Sequence, residues 1–270
     1  MSRLNRLYEI AKQENRVVLN IFLTVGYPDL SASEELARIA LESGAEVIEL
    51  GVPFSDPMAE GMTIQESSQV AIDNGITLDD CIGLASRLRA DYEQAGILLM
   101  GYVNPFIAYG LYKLGDRVRD AGIDGLVVAD LPPEEAMEFQ KVMRKSDAIL
   151  VQFLAPTTDP NRAKIVIESG DGFIYCVSLT GVTGERDQLD PGVVDFLKET
   201  KKLTDRPLVV GFGISSAKHV ISLRGNADGV VVGSAFVRVC GDTDLSVRNM
   251  QAGQLVRDLS AAAKGMDDVV

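Results

Sequence analysis

The chain has 270 residues, 46% of them hydrophobic, and is long enough to bury a large core as one α/β barrel or as two smaller domains. Its 26 basic against 39 acidic residues give a formal charge of -13, which repels nucleic-acid phosphates and anionic lipid surfaces, and no run of Lys and Arg offsets it. Cys81, Cys176 and Cys240 are odd in number, far apart and set in apolar or helical stretches, so they read as small core residues and not as a disulfide or zinc framework.

Residues 1–16 place Leu4, Leu7, Tyr8 and Ala11 at helical spacing, an amphipathic helix suited to capping the closed end of a barrel. They contain no apolar signal core, and no run of about 18 apolar residues follows anywhere. Neither secretion nor membrane insertion is expected, and a reducing, cytoplasmic location fits the cysteines. Short apolar runs then recur at 19–24, 47–51, 97–102, 125–129, 148–153, 173–178, 207–212 and 228–233, each followed by a polar loop and an amphipathic segment. Near-continuous Val, Ile and Leu runs suit strands buried on both faces of a parallel sheet.

Helix punctuation lies between them. Ser31 precedes Glu34, Thr63 precedes Glu66 and Thr77 precedes Asp80 at the spacing of a capping box. Asp159-Pro160 and Asp190-Pro191 put a capping acid before a proline, while Gly44, Gly75 and Gly170 stand where helices end. Leu36, Ile39 and Ala40 share one stripe, and a second helix is expected from 77 to about 94. Eight βα units with right-handed crossovers predict a single-domain (β/α)8 TIM barrel over residues 1–270, with an N-terminal helix and an extra helix between strands two and three. An open doubly wound sheet is the alternative.

Glu49 interrupts the second apolar run, and an ionised carboxylate is costly to bury without partners. Glu60 follows in a loop rich in Pro, Gly and Asp, so two carboxylates can surround one small ligand. The plainer reading pairs Glu49 with a buried Lys or Arg and leaves Glu60 solvated. The lone histidine, His219, falls in the helix after strand seven, where a surface role is expected, and its position disfavours metal or histidine-based chemistry.

Barrel enzymes collect binding residues at the C-terminal ends of the strands, with phosphates at the loops after strands seven and eight. Here those loops read Gly211-Phe-Gly213-Ile-Ser215 and Gly233-Ser234-Ala235-Phe236, the latter opening a short helix. Gly181-Val-Thr-Gly184 after strand six is a third glycine-bearing loop. Glycine lets the backbone approach an anion closely, which allows an acidic protein to bind phosphate through backbone dipoles.

The motifs ELGVPFSDPMAEGMTIQ, YVNPFIAYG, DLPPEE, GFIYCVSLTGVTG, VVGFGIS and ADGVVVGSAFV, in this order over nearly the whole chain, resemble the α subunit family of tryptophan synthase. The resemblance implies retro-aldol cleavage of indole-3-glycerol phosphate to indole and glyceraldehyde 3-phosphate, with indole passed to a pyridoxal-phosphate-dependent β subunit in an α2β2 complex. This chain itself is expected to need no cofactor and no metal. Glu49 aligns with the family's proton-transferring acid. Glu60 stands where the family has Asp, and Met62 where it has Pro, two departures in one loop. Phosphate contacts map to Gly184, Gly213, Gly233 and Ser234. Phe22, Thr24 and Tyr175 close strands one and six on the same rim, with Phe22 and Tyr175 beside the substrate. Pro53, Phe54 and Asp56 are the expected partner contacts, on a proline-stiffened loop, and segments 54–62 and 180–190 are expected lids. An alternative keeps the fold and leaves the chain chiefly an activator of the β subunit. A different phosphate-sugar isomerase barrel would leave the joint presence of GVPFSDP and GVTG unexplained.

Overall fold

A computed structural model describes residues 2–177, 192–211 and 213–266. Eight parallel strands close into a barrel in chain order: β1 (Val18–Thr24), β2 (Val47–Gly51), β3 (Gly96–Gly101), β4 (Gly125–Val128), β5 (Ile149–Leu154), β6 (Ile174–Val177), β7 (Leu208–Gly211) and β8 (Gly229–Val232). β1 pairs with both β2 and β8, so the sheet has no edge and the open-sheet alternative is excluded. Each strand serves two cores. Leu19, Ile21 and Leu23 pack outward with the helices, whereas Val18 and Phe22 pack into the barrel, and β2 likewise turns Ile48 and Leu50 outward and Val47 inward. Burial on both faces is why these strands read as unbroken apolar runs.

The helices are α1 (Arg3–Gln13), α2 (Leu30–Glu42), α3 (Met62–Asp73), α4 (Leu78–Asp91), α5 (Val103–Tyr109), α6 (Leu111–Ala121), α7 (Met137–Lys145), α8 (Pro160–Ser169), α9 (Gly192–Lys201), α10 (Ala217–Leu223), α11 (Ser234–Cys240) and α12 (Leu245–Ala263). α1 buries Leu4, Tyr8 and Ala11 in the barrel's inner core and sets Tyr8 against Phe173, as its spacing predicts. At the same closed end Asp124 accepts from Arg3 (2.8 Å), Arg89 (2.7 Å) and the Ile97 amide (2.9 Å), tying α1 and α4 to the strands.

The expected caps divide. Thr77 and Asp80 form the capping box of α4, and Asp159 caps α8. Ser31 and Thr63 do not cap. Asp29, extended ahead of α2, accepts from the Ala32 amide, so Ser31 is already helical, and α3 opens one residue before Thr63 with Gly61 as its cap. A serviceable acceptor just upstream, or a glycine, starts the helix before the hydroxyl is reached. Gly44 and Gly75 take the left-handed turn past α2 and α3, while Gly170 closes α8 in extended form. Asp190-Pro191 lies outside the described residues. The three cysteines are buried and free, and among the described residues no helix is long and apolar enough to cross a membrane.

Candidate active site

Strand alternation aims Glu49 into the barrel, in register with Phe22 on β1 and Leu98 on β3, and leaves it 0% exposed. Asn20 Nδ2 donates to its Oε1 at 3.2 Å, and Oε2 makes no hydrogen bond to any described residue. Burial pushes its pKa up to about 7; the Asn20 bond opposes that rise and the nearby Glu60 charge adds to it. The plainer expectation of a buried Lys or Arg partner fails: no described basic residue forms an ion pair with Glu49, and an amide takes that place.

Glu60 is also buried, which corrects the expectation of a solvated residue. A tight turn brings its amide to the Pro57 carbonyl (2.9 Å), and Gln65 from α3 donates to its own carbonyl (2.8 Å), folding the loop back over the rim. The Tyr102 hydroxyl accepts from the Ala59 amide (2.9 Å) and pins the same turn. Burial raises the Glu60 carboxyl to about 7. It opens on a cavity of about 20 Å³ whose lining includes Phe22, Thr24, Ile64, Met100 and Tyr102. Met62, at the start of α3, points to solvent.

Other expected residues gather at this end. Phe22 and Tyr175 are buried in the inner core, Tyr175 with its ring 4.8 Å from that of Phe153. Thr24 shares a 2.7 Å hydrogen bond with Ser67. Gly213 follows β7 in the left-handed region (φ 84°), and Gly233 precedes α11, with Ser234 the helix's first residue. A Cβ on Gly233 would meet Phe22 no closer than 3.5 Å, so packing does not demand a glycine there. Gly184 lies outside the described residues, as does the 180–190 segment. His219 is not a surface residue. It is buried, and its Nδ1 accepts from the Ser215 amide at 3.3 Å, because α10 turns that side of the helix back onto the loop after β7.

The expected partner loop is more ordered than its composition suggests. Pro53 is half-buried, and Phe54 stacks on Tyr102 (5.2 Å between centroids) while its amide donates to Ser68, so the aromatic is held within the loop. Asp56 is exposed beside the exposed Met58. Two site residues escape the sequence reading. Tyr102 is named in a motif but given no role. Asn20 breaks the first apolar run just as Glu49 breaks the second, the signal by which it could have been found.

Fold and site together define a βα-barrel enzyme with two buried carboxylates set at its C-terminal rim. The family model for the tryptophan synthase alpha chain matches residues 8–269. Tryptophan synthase alpha chains of Chloroflexus aggregans and Aquifex aeolicus are each 40% identical to this chain, over 98% of it and 99% of the former, and over 96% of it and 98% of the latter. Among solved structures, the Legionella pneumophila tryptophan synthase subunit alpha superposes with a TM-score of 0.90 at 30% identity, covering 98% of this chain and 99% of that one. A Mycobacterium tuberculosis tryptophan synthase structure gives 0.89 at 30% identity over 97% and 98%. The chain belongs to the tryptophan synthase alpha chain family, lyases of tryptophan biosynthesis.

Proposed function

We propose that this chain cleaves indole-3-glycerol phosphate to indole and glyceraldehyde 3-phosphate, with Glu49 as the proton carrier and Glu60 as the charge stabiliser. The observation that carries this reading is the pair of buried carboxylates, each raised to about 7, at one end of the barrel. Glu49, entering protonated, gives its proton to the indole carbon that bears the glycerol chain. The ring becomes an iminium cation, and Glu60 at the ring N–H holds that charge in a site shielded from water. The Glu49 carboxylate then takes the proton of the adjacent side-chain hydroxyl. As the aldehyde forms, the carbon–carbon bond breaks, its electron pair returns the ring to neutral indole, and Glu49 ends as it began.

Phe22 and Tyr175 supply apolar walls for the ring. The phosphate sits against the backbone of Gly213, Gly233 and Ser234, joined by Gly184. The left-handed turn at Gly213 and the bare Cα of Gly233, which packing does not require, support this placement. The 54–62 loop, which carries Glu60 and folds back over the rim, acts as a lid on the substrate. The chain needs no cofactor of its own and acts in the cytoplasm. Its partner is a pyridoxal-phosphate-dependent β subunit in an α2β2 complex, docked around Pro53, Asp56 and the exposed Met58 and Met62. Incubating the purified chain with indole-3-glycerol phosphate tests the lyase reading, which predicts free indole. No indole, alone or with a β subunit, would overturn it, and indole only with the β subunit would favour the activator role.

A further inference from the structure

The barrel interior holds a polar group that the acid pair leaves unexplained. Asn20 lies on β1 two residues below Phe22, in register with Val47 and Val231, fully buried in a layer of otherwise apolar side chains. Its Nδ2 donates to Glu49 Oε1, and its Oδ1 has no hydrogen-bond partner among the described residues. A leucine of similar volume would fill the layer without burying an amide, so the amide costs stability that packing does not repay. Beneath it α1 delivers Tyr8, whose buried hydroxyl neighbours the Asn20 side chain. A polar column of Tyr8, Asn20 and Glu49 thus runs from the closed end toward the reactive rim.

We propose that Asn20 is a positioning residue for the lyase step, an inference that rests on Glu49 being the proton carrier: its amide holds Oε1, so the mobile proton resides on Oε2, and Tyr8 backs the amide from the closed end. An N–H donor meets a lone pair and not another proton, so in the acid form Oε1 is the carbonyl oxygen. In the carboxylate form the same bond stabilises the charge. The proton therefore leaves and returns at one atom, and Glu49 keeps its rotamer through the cycle. Among the described residues the other titratable groups facing Glu49 are Glu60, Tyr8 and Tyr175, and none of these supplies a positive charge.

The test is steady-state indole release across the pH range about 5–9 for wild type, Glu49→Gln, Asn20→Leu, Tyr8→Phe and the Asn20→Leu/Tyr8→Phe double variant, with circular dichroism to confirm folding. Asn20→Leu should lower kcat about tenfold, change KM by less than about twofold and move the alkaline limb up by about one pH unit, because the charged acid loses its donor. Tyr8→Phe should move the limb the same way by less, and add nothing in the double variant. If Asn20→Leu misfolds, Asn20→Ser takes its place with the same expectation, its hydroxyl being too short to reach Oε1. A wild-type limb and kcat in the folded Asn20 variant, or additive effects in the double variant, would overturn the positioning role alone. Wild type without indole release, or Glu49→Gln at wild-type rate, would overturn the lyase reading and this proposal with it.

Discussion

Gly211 on β7 and Tyr175 on β6 are a fitted pair: a Cβ on Gly211 would lie 2.3 Å from both Cε1 and the hydroxyl oxygen of Tyr175. The strand gives up a side chain so that the tyrosine can lie inside the barrel. Gly211→Ala should drive the ring toward the substrate space, lowering kcat/KM at least about tenfold and stability by roughly 1–3 kcal/mol. Indole release and thermal unfolding check both. Wild-type values would mean that Tyr175 adjusts freely and has no set place beside the substrate.

The two raised carboxyls give the reaction a pH signature. Glu49 must carry a proton and Glu60 must not, and with both near 7 a single proton is shared around neutrality. Indole release should be bell-shaped with its maximum near pH 7. Stability runs the other way from an ordinary salt-bridged acid. Because the folded pKa lies above the unfolded value of 4.5, the native state binds the extra proton, and stability falls as pH rises from about 4.5 through 7. Glu49→Gln, isosteric and neutral, should therefore unfold at a higher temperature than wild type at pH 8, a gap that closes by about pH 4.5. A gap independent of pH would show that Glu49 is not raised.

Glu60 is one methylene longer than an aspartate and sits in a loop whose turn is pinned by Gln65 and Tyr102. Glu60→Asp should keep measurable activity. Glu60→Gln should lose more, since a neutral amide forfeits charge-assisted bonding of about 1.5–3 kcal/mol, or one to two decades in rate. Equal, near-wild-type rates in the two variants would leave Glu49 working without a second carboxylate and move the chain toward the activator reading.

Far from the site, Asp124 carries three hydrogen bonds at the closed end. Asp124→Ala removes the acceptors of Arg89 Nη2 and of the buried Ile97 amide, although Nε and Nη1 of Arg89 keep their backbone carbonyls. It should cost roughly 1.5–3 kcal/mol in denaturant unfolding while leaving KM unchanged. A loss below about 1 kcal/mol would show that solvent replaces these bonds.

Strand positions were legible because burial on both faces writes itself as apolar runs; β2 matches its run residue for residue, and the other seven differ by a residue or so at one end or both, where pairing depends on the neighbour. Glu49 was legible as a polar interruption, and Asn20 carried the same mark unread. The burial of Glu60 was not legible, because it arises from a turn and a glutamine five residues on. His219 misled for a similar reason: its helix has an inward side, and only the path of the loop after β7 shows which residues face it. Nor does a sequence tell which glycines yield space. Gly211 must be bare for Tyr175 and Gly233 need not be, a distinction that exists only in the folded barrel.

The most direct measurement is the single-turnover rate of indole release from indole-3-glycerol phosphate by Glu49→Gln against wild type, at pH 7 and with each enzyme in saturating excess over substrate. The amide keeps the shape and the Asn20 side of the pocket but cannot exchange protons. A loss of about two to four decades with substrate binding retained is the predicted result, the range that general acid–base catalysis contributes. Activity within about tenfold of wild type would contradict the assignment of Glu49 as the proton carrier.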